Sequence, residues 1–383
     1  MKNVLFITGT RADYGKIKTL MREVELSKDF NLSIFVTGMH MLSKYGLTWK
    51  EIEKDGFKNL YKYINQQSGS KMDIALSNTI LGLSNFVHEM KPDMIVVHGD
   101  RLEALAGAIV GAFNNIKVAH IEGGEVSGTI DESIRHSITK LAHMHFVSNL
   151  ESKDRICQLG ENPDSVFVIG SPDIDVMLSD SLPSLEEVQR RYEINFDNYS
   201  ICMFHPVTTE LDKLHCHVNS LVSAMLESDQ NFVVIFPNND EGSEIILHEY
   251  KRLYNNRRIK IFPSIRFEYF LTLLNNSEYM IGNSSAGIRE ARVYGVSAID
   301  IGIRQRNRYN KNSKGILHVE NITTQNILNS MVEVKKEKCE VYSDFGKGDS
   351  NKKFIKVLEN KKVWEYDIQK QFVDIHFREK NNV

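Results

Sequence analysis

Two short stretches, His98-Gly99-Asp100-Arg101 and His120-Ile121-Glu122-Gly123-Gly124-Glu125, gather acids, imidazoles and an arginine. Each ends an apolar run, Met94-Ile95-Val96-Val97 and Lys117-Val118-Ala119, that reads as a strand. In an open α/β sheet, ligands bind in the crevice beyond the carboxyl ends of the strands, which is where Asp100 and Glu122 emerge. Asp131 and Arg135 follow at the start of what reads as the next helix, so three carboxylates and two arginines converge on one site. Carboxylates do general acid and base work, and arginines favour an anionic ligand. The His98/Asp100 and His120/Glu122 pairs would also suit zinc or manganese, because alternate residues of a strand share a face. Arg101 and Arg135 repel a cation, so the expectation is an anionic substrate, with neither metal nor cofactor.

The rest of the chain must hold these groups in place. Short apolar runs alternate with helical-period segments: strands at 4–8, 32–36, 94–98, 118–121, 145–148 and 166–169, and helices at about 14–27, 72–90 and 102–114. Alternation of this kind builds a parallel sheet. It pauses in the polar stretch Ser179-Asp180-Ser181-Leu182-Pro183-Ser184, which suits a linker, and restarts at residue 200. Strands then read at 200–204, 232–236, 260–262, 279–281 and 298–301, with a helix near 324–334. At 383 residues the chain exceeds the roughly 250–300 that one core supports. The expectation is an α/β protein of two Rossmann-like, doubly wound domains facing across a cleft, at 1–178 and 179–345. A helical segment at 346–383, carrying Trp364, Tyr366, Phe372 and Phe377, should pack back on the body.

Composition excludes several classes. A formal net charge of −3 favours neither nucleic acid nor an acidic membrane. No run approaches the roughly 18 apolar residues of a membrane span, and the apolar N-terminal run is too short for a signal peptide. The four scattered cysteines, without Cys-x-x-Cys spacing, fit reduced thiols in a cytoplasmic protein.

Two further loops bear on anion binding. Gly9-Thr10-Arg11-Ala12-Asp13-Tyr14-Gly15-Lys16 joins the first strand to the first helix. It is not a P-loop, because five residues separate its glycines and Ile17 stands where Ser or Thr should hold magnesium. No Gly-x-Gly-x-x-Gly follows a strand, so a nicotinamide route loses its main support. The loop still offers Arg11 and free amides to an anion. Gly282-Asn283-Ser284-Ser285-Ala286-Gly287-Ile288-Arg289-Glu290 reads as a strand end opening a helix, whose amides and hydroxyls suit a diphosphate, with Glu290 one turn in to meet a ribose. Arg304, and His205 and Asn238 at strand ends, add to a nucleotide site.

On these motifs the chain resembles the hydrolysing UDP-N-acetylglucosamine 2-epimerases, which open bacterial sialic-acid synthesis and form half of the animal bifunctional enzyme. The resemblance runs through Gly9 to Tyr14, His98 to Arg101, His120 to His136, His205-Pro206-Val207-Thr208-Thr209, Phe236-Pro237-Asn238, Gly282 to Ser285 and Arg304-Gln305. It implies a glycosyltransferase-B-like fold with UDP held mostly by the second domain. It places UDP contacts on Arg11, Ala12, Arg101, His205, Asn238, Ile265, Ser284, Ser285, Glu290 and Arg304, and Gly15, where the animal enzyme has a serine, counts with them. Acid/base work falls collectively on Asp100, Glu122 and Asp131, with His40 and His120 nearby. The implied reaction eliminates UDP through a 2-acetamidoglycal and hydrates it to N-acetylmannosamine, in a homo-oligomer, dimer or tetramer. Non-hydrolysing relatives usually carry Gly-Thr-Arg-Pro-Glu and His-Val-Glu-Ala-Gly, which this chain lacks. The alternatives are the same reaction on a 4-acetamido-6-deoxy analogue, a glycosyltransferase on this scaffold, or a silent UDP-sugar sensor.

Overall fold

A computed structural model describes residues 1–127, 129–309, 313–337, 339–341 and 345–374. Seven strands form the first sheet: β1 Lys2–Thr8, β2 Phe30–Val36, β3 Leu60–Lys62, β4 Met94–His98, β5 Lys117–Ile121, β6 Met144–Val147 and β7 Val166–Val168. Six form the second: β8 Ser200–Met203, β9 Phe232–Ile235, β10 Ile259–Phe262, β11 Met280–Gly282, β12 Ala298–Ile301 and β13 Ile316–Val319. The orders are β3-β2-β1-β4-β5-β6-β7 and β10-β9-β8-β11-β12-β13, with every pairing parallel.

Parallel sheets covered on both faces need apolar residues at every position rather than at alternate ones. β1 supplies them: Val4 and Phe6 enter the core on one face, Leu5 and Ile7 that on the other. In β9, Phe232 and Val234 face one core and Val233 and Ile235 the opposite one. Both sheets reverse direction of growth at their centre, between β1 and β4 and between β8 and β11, which is where crevices open. The short edge strands β3 and β13 were not evident from the sequence pattern.

The first helix, Arg11–Leu26, starts three residues earlier than its apolar periodicity indicates, because the Thr10 side chain accepts the Asp13 N–H at its N-cap (3.1 Å). The segment after Gly282 departs further. It forms a single 3-10 turn, Ser285–Gly287, and a four-residue helix, Glu290–Val293, in place of one helix opening at the serines. Its anion-binding capacity therefore rests on local amides and hydroxyls, and Glu290 begins the short helix.

The C-terminal segment crosses to the first sheet. Helix Ser350–Glu359 places Phe354 and Leu358 in that sheet's core, where the Phe354 ring meets Phe6 and Phe146 edge-on at 6.2 and 4.8 Å. Trp364 ends a second short helix and stacks on Phe30. From residue 365 to 374 the chain is irregular, not helical as the aromatic spacing indicated, since side chains of the first half capture its backbone: His143 Nε2–H donates to the Ile368 carbonyl (3.1 Å) and Lys117 binds the carbonyl of Tyr366. Phe372 lies over Gly160, and Phe377 is outside the described residues. Among the described residues no helix is long and apolar enough to cross a membrane, and the four cysteines form no disulfide.

Candidate active site

The loops after β1, β4 and β5 face those after β8, β9, β10 and β11 across a cavity of about 300 Å³. Asp100, Glu122 and Asp131 line it from the first half. Arg11, Ala12 and Arg101 join them, and His205, Asn238, Ile265, Ser284, Ser285, Glu290 and Arg304 line the second half. The sequence-derived set is thus brought together, with three exceptions.

Gly15 lies inside the first helix, not in the loop. A Cβ there would stand 2.4 Å from Phe267 Cβ, so the glycine serves helix packing, and it does not line the cavity. His40 and His120 sit one layer behind the cavity, each fully buried. Thr8 gives its hydroxyl hydrogen to Asp13 (2.7 Å), so His40 Nε2–H donates to Thr8 Oγ1 (3.1 Å) while Nδ1 pairs with Thr48 Oγ1 (2.7 Å). His120 Nε2–H donates to the Gly99 carbonyl (2.8 Å) and holds the turn that aims Asp100. Burial lowers His40 to about 4 and His120 to about 3, so both are neutral supports rather than acid/base groups.

The structure gives His98, read in the sequence as a possible metal partner of Asp100, a different role. His98, at the end of β4, donates from Nδ1 to Asp13 Oδ1 (2.7 Å) and from Nε2 to Glu122 Oε2 (3.1 Å). Burial opposes charge on its ring, but the two carboxylates outweigh that and raise it to about 9. An imidazolium thus bridges two acids at the cavity wall. Because His98 titrates higher folded than its ordinary 6.5, the stability its charge contributes is complete below about pH 6.5 and is lost as pH rises through about 9. Urea unfolding of wild type and His98→Asn should therefore show a stability gap that narrows between about pH 6 and about pH 10. A gap that stays constant would rule out the imidazolium.

Glu122 has a backbone φ of +61°, a left-handed conformation that costs a non-glycine residue about 1 kcal/mol or more. Its carboxylate is held from several sides. Ser171 and Arg289 Nη2 (2.9 Å) reach Oε1, and His98 and Arg289 Nη1 (3.3 Å) reach Oε2. Burial works against its ionisation, but Arg289 and His98 prevail and hold the carboxyl well below the usual carboxylate range. Asp100 pairs with Arg135, and Asp131 accepts from Arg304 Nη2 across the cleft (3.3 Å).

On the second half, the Asn283 side chain takes the His205 N–H (2.7 Å) and donates to the His205 carbonyl (2.9 Å). His205 Nδ1 accepts the Asn238 N–H (3.1 Å), which leaves the ring hydrogen on Nε2. Burial, with Arg304 and Arg101 near, keeps this ring neutral, far below its ordinary value. Ser284 Oγ caps the 3-10 turn by accepting the Ala286 N–H (3.3 Å). Glu290 is paired with Lys16 (2.7 Å), which also meets Asp173 (3.1 Å). Arg11 donates to Ser264 Oγ (2.9 Å) and pairs with Glu51. Arg135, Arg289, Arg304 and Arg308 add positive charge to the walls, and no cluster of three or more metal-ligating side chains occurs among the described residues.

A family model described as UDP-N-acetylglucosamine 2-epimerase matches residues 22–359. The chain belongs to the UDP-N-acetylglucosamine 2-epimerase family. Among its relatives is a protein of Neisseria meningitidis serogroup B named UDP-N-acetylglucosamine 2-epimerase, 47% identical over 98% of this chain and 100% of its own length. A Legionella pneumophila protein named UDP-N,N'-diacetylbacillosamine 2-epimerase (hydrolyzing) is 33% identical over 94% of this chain and 96% of its own. The Escherichia coli polysialic acid biosynthesis protein P7 is 36% identical over 80% of each. A crystal structure of the Methanocaldococcus jannaschii UDP-GlcNAc 2-epimerase with UDP-GlcNAc and UDP superposes with a TM-score of 0.80 at 20% identity, covering 94% of this chain and 99% of that one. The fold the family shares is the glycosyltransferase-B-like pair of Rossmann domains.

Proposed function

We propose that this chain converts UDP-N-acetylglucosamine and water to N-acetylmannosamine and UDP, the hydrolysing form of the family's reaction. The observation that carries this reading is the meeting of Asp100, Glu122 and Asp131, from the first half, with the hydroxyl- and arginine-lined nucleotide frame of the second in one cavity. Ser284, Ser285, Arg304 and Arg11 would hold the diphosphate, and His205 Nε2–H would donate to it. A carboxylate takes the proton from C2 as the C1–O bond breaks, its electron pair leaving on UDP. The arginines stabilise the charge that develops on that oxygen. Water then adds to C1, giving one proton to a wall carboxylate, while a second acid group protonates C2 on the opposite face. Opposed faces require groups of differing acidity, and Glu122, held firmly anionic by Arg289 and His98, is the more acidic member of such a set.

The Neisseria relative's higher identity favours UDP-N-acetylglucosamine, and the Legionella relative keeps the diacetamido sugar as the second reading. Incubation with each UDP-sugar in deuterated water, followed by NMR, tests both. The expected result is release of UDP and free manno sugar with one deuterium at C2. Product without deuterium at C2 would sink the elimination route, and turnover of the diacetamido sugar alone would transfer the assignment to it.

A further inference from the structure

Glu122 cannot aim its carboxylate by backbone geometry alone, since its φ of +61° turns the side chain out of the run of β5. Its aim depends on donors, and the one that grips both oxygens comes from the other half. Arg289 reaches Glu122 through both terminal nitrogens (2.9 and 3.3 Å), Glu125 at 2.8 Å and Ser171 at 2.6 Å. Every one of these acceptors belongs to the first half. The guanidinium also lies over the Phe345 ring at 4.8 Å, and the residue is 7% exposed. On its own half, the Arg289 N–H donates to the Ser285 carbonyl (3.0 Å). Arg289 is therefore fixed to the very turn that would receive the diphosphate.

We infer that Arg289 is a positioning residue that ties the aim of Glu122 to the turn expected to hold the diphosphate, so that UDP occupancy and alignment of the reacting carboxylate are linked. The inference rests on the nucleotide reading of the Ser284–Ser285 turn given above. A bidentate guanidinium fixes a carboxylate in plane and direction, which an ammonium does not. Linkage is reciprocal: if closure on UDP forms the Arg289–Glu122 pair, then the pair tightens UDP by the same factor. The charged and titratable groups facing Glu122 are His98 on β4, Lys16 on the first helix, Asp173 on helix Pro172–Met177, Glu125 and Arg289 itself. Loss of Arg289 leaves His98 and Lys16 as the cations there, so the Glu122 carboxyl becomes easier to protonate.

The test compares wild type, Arg289→Gln, Arg289→Lys, Glu122→Gln and the Glu122→Gln/Arg289→Gln double variant, by kinetics against pH and by calorimetric titration with UDP. Arg289→Gln should lower kcat by about 10²-fold, the scale of a small misplacement of a reacting group, and move the acid limb of the kcat profile to higher pH. Arg289→Lys should restore only part of kcat. Arg289→Gln should weaken UDP by about five- to tenfold, and this loss should be smaller in the Glu122→Gln background, where Arg289 keeps only Glu125 and Ser171 on the first half. Equal weakening in both backgrounds would make Arg289 a plain nucleotide contact and overturn the inference. So would a kcat within about twofold of wild type with an unmoved acid limb. If Arg289→Gln does not fold, Arg289→Lys with full kcat and an unmoved limb overturns it, whereas reduced kcat with a shifted limb supports it. The calorimetric cycle needs no turnover, so failure of the proposed reaction in wild type is seen separately from failure of the linkage.

Discussion

Glu122→Gln should lower turnover on the order of 10²-fold or more, the scale of lost acid or base assistance, while UDP affinity stays within about tenfold of wild type. The amide keeps the shape of the side chain and one acceptor oxygen, so the cavity and its nucleotide frame persist. It cannot take up a proton, and its NH₂ group faces donors, Arg289 together with either His98 or Ser171, that no longer find a second carboxylate oxygen. Those donors are then under-satisfied in a buried place, at a cost of about 1–3 kcal/mol. Part of that cost falls on the closed arrangement, which is why a modest loss of UDP affinity accompanies the large loss of turnover. Steady-state kinetics on the product sugar, with UDP titrated by calorimetry, separates the two. Full turnover in this variant would remove Glu122 from the acid/base set and leave Asp100 and Asp131 to carry it.

The strand ends that frame the cavity were legible in sequence because parallel strands buried on both faces write themselves as unbroken apolar runs, as in Val4 to Thr8 and Met94 to His98. Asp100, Glu122 and the serine turn sit directly after such runs and Asp131 opens the helix that follows β5, so their common placement followed from topology. What stayed hidden has a physical reason in each case. Arg289 was quoted within its motif, yet its partners lie 118 to 167 residues away in the chain, and no local pattern encodes a pair of that separation. Asp13 was likewise read as part of a loop, although the Thr10 cap had already begun the helix that turns it toward His98. Gly15 faces Phe267 rather than the cavity, a packing that the loop motif alone does not show. For His40 and His120, residue type alone does not reveal burial, and burial is what keeps them neutral.

Phe354→Ala should be the most destabilising single change in the C-terminal segment, by about 3–5 kcal/mol, the range for emptying a buried phenylalanine site. Its ring is fully buried and packs edge-on against Phe6 of β1 and Phe146 of β6, at the centre of the sheet that carries Asp100 and Glu122. The strands on either side cannot collapse into the space without breaking register, so the cavity term persists. The helix that bears Phe354 is tied at its start to Asp175, which accepts the Ser350 N–H at 2.9 Å and the Asn351 N–H at 2.8 Å. Loosening it therefore reaches helix Pro172–Met177 and the Lys16–Asp173 contact behind the site. Both tryptophans of the chain, Trp49 and Trp364, pack on this same core, so intrinsic fluorescence in urea reads its unfolding directly. Phe372→Ala is the control. That ring is 65% exposed, and its loss should stay within about 1 kcal/mol of wild type. Equal midpoint shifts for the two variants would mean that the segment merely rests on the first half, and that the core beneath β1 and β6 closes without it.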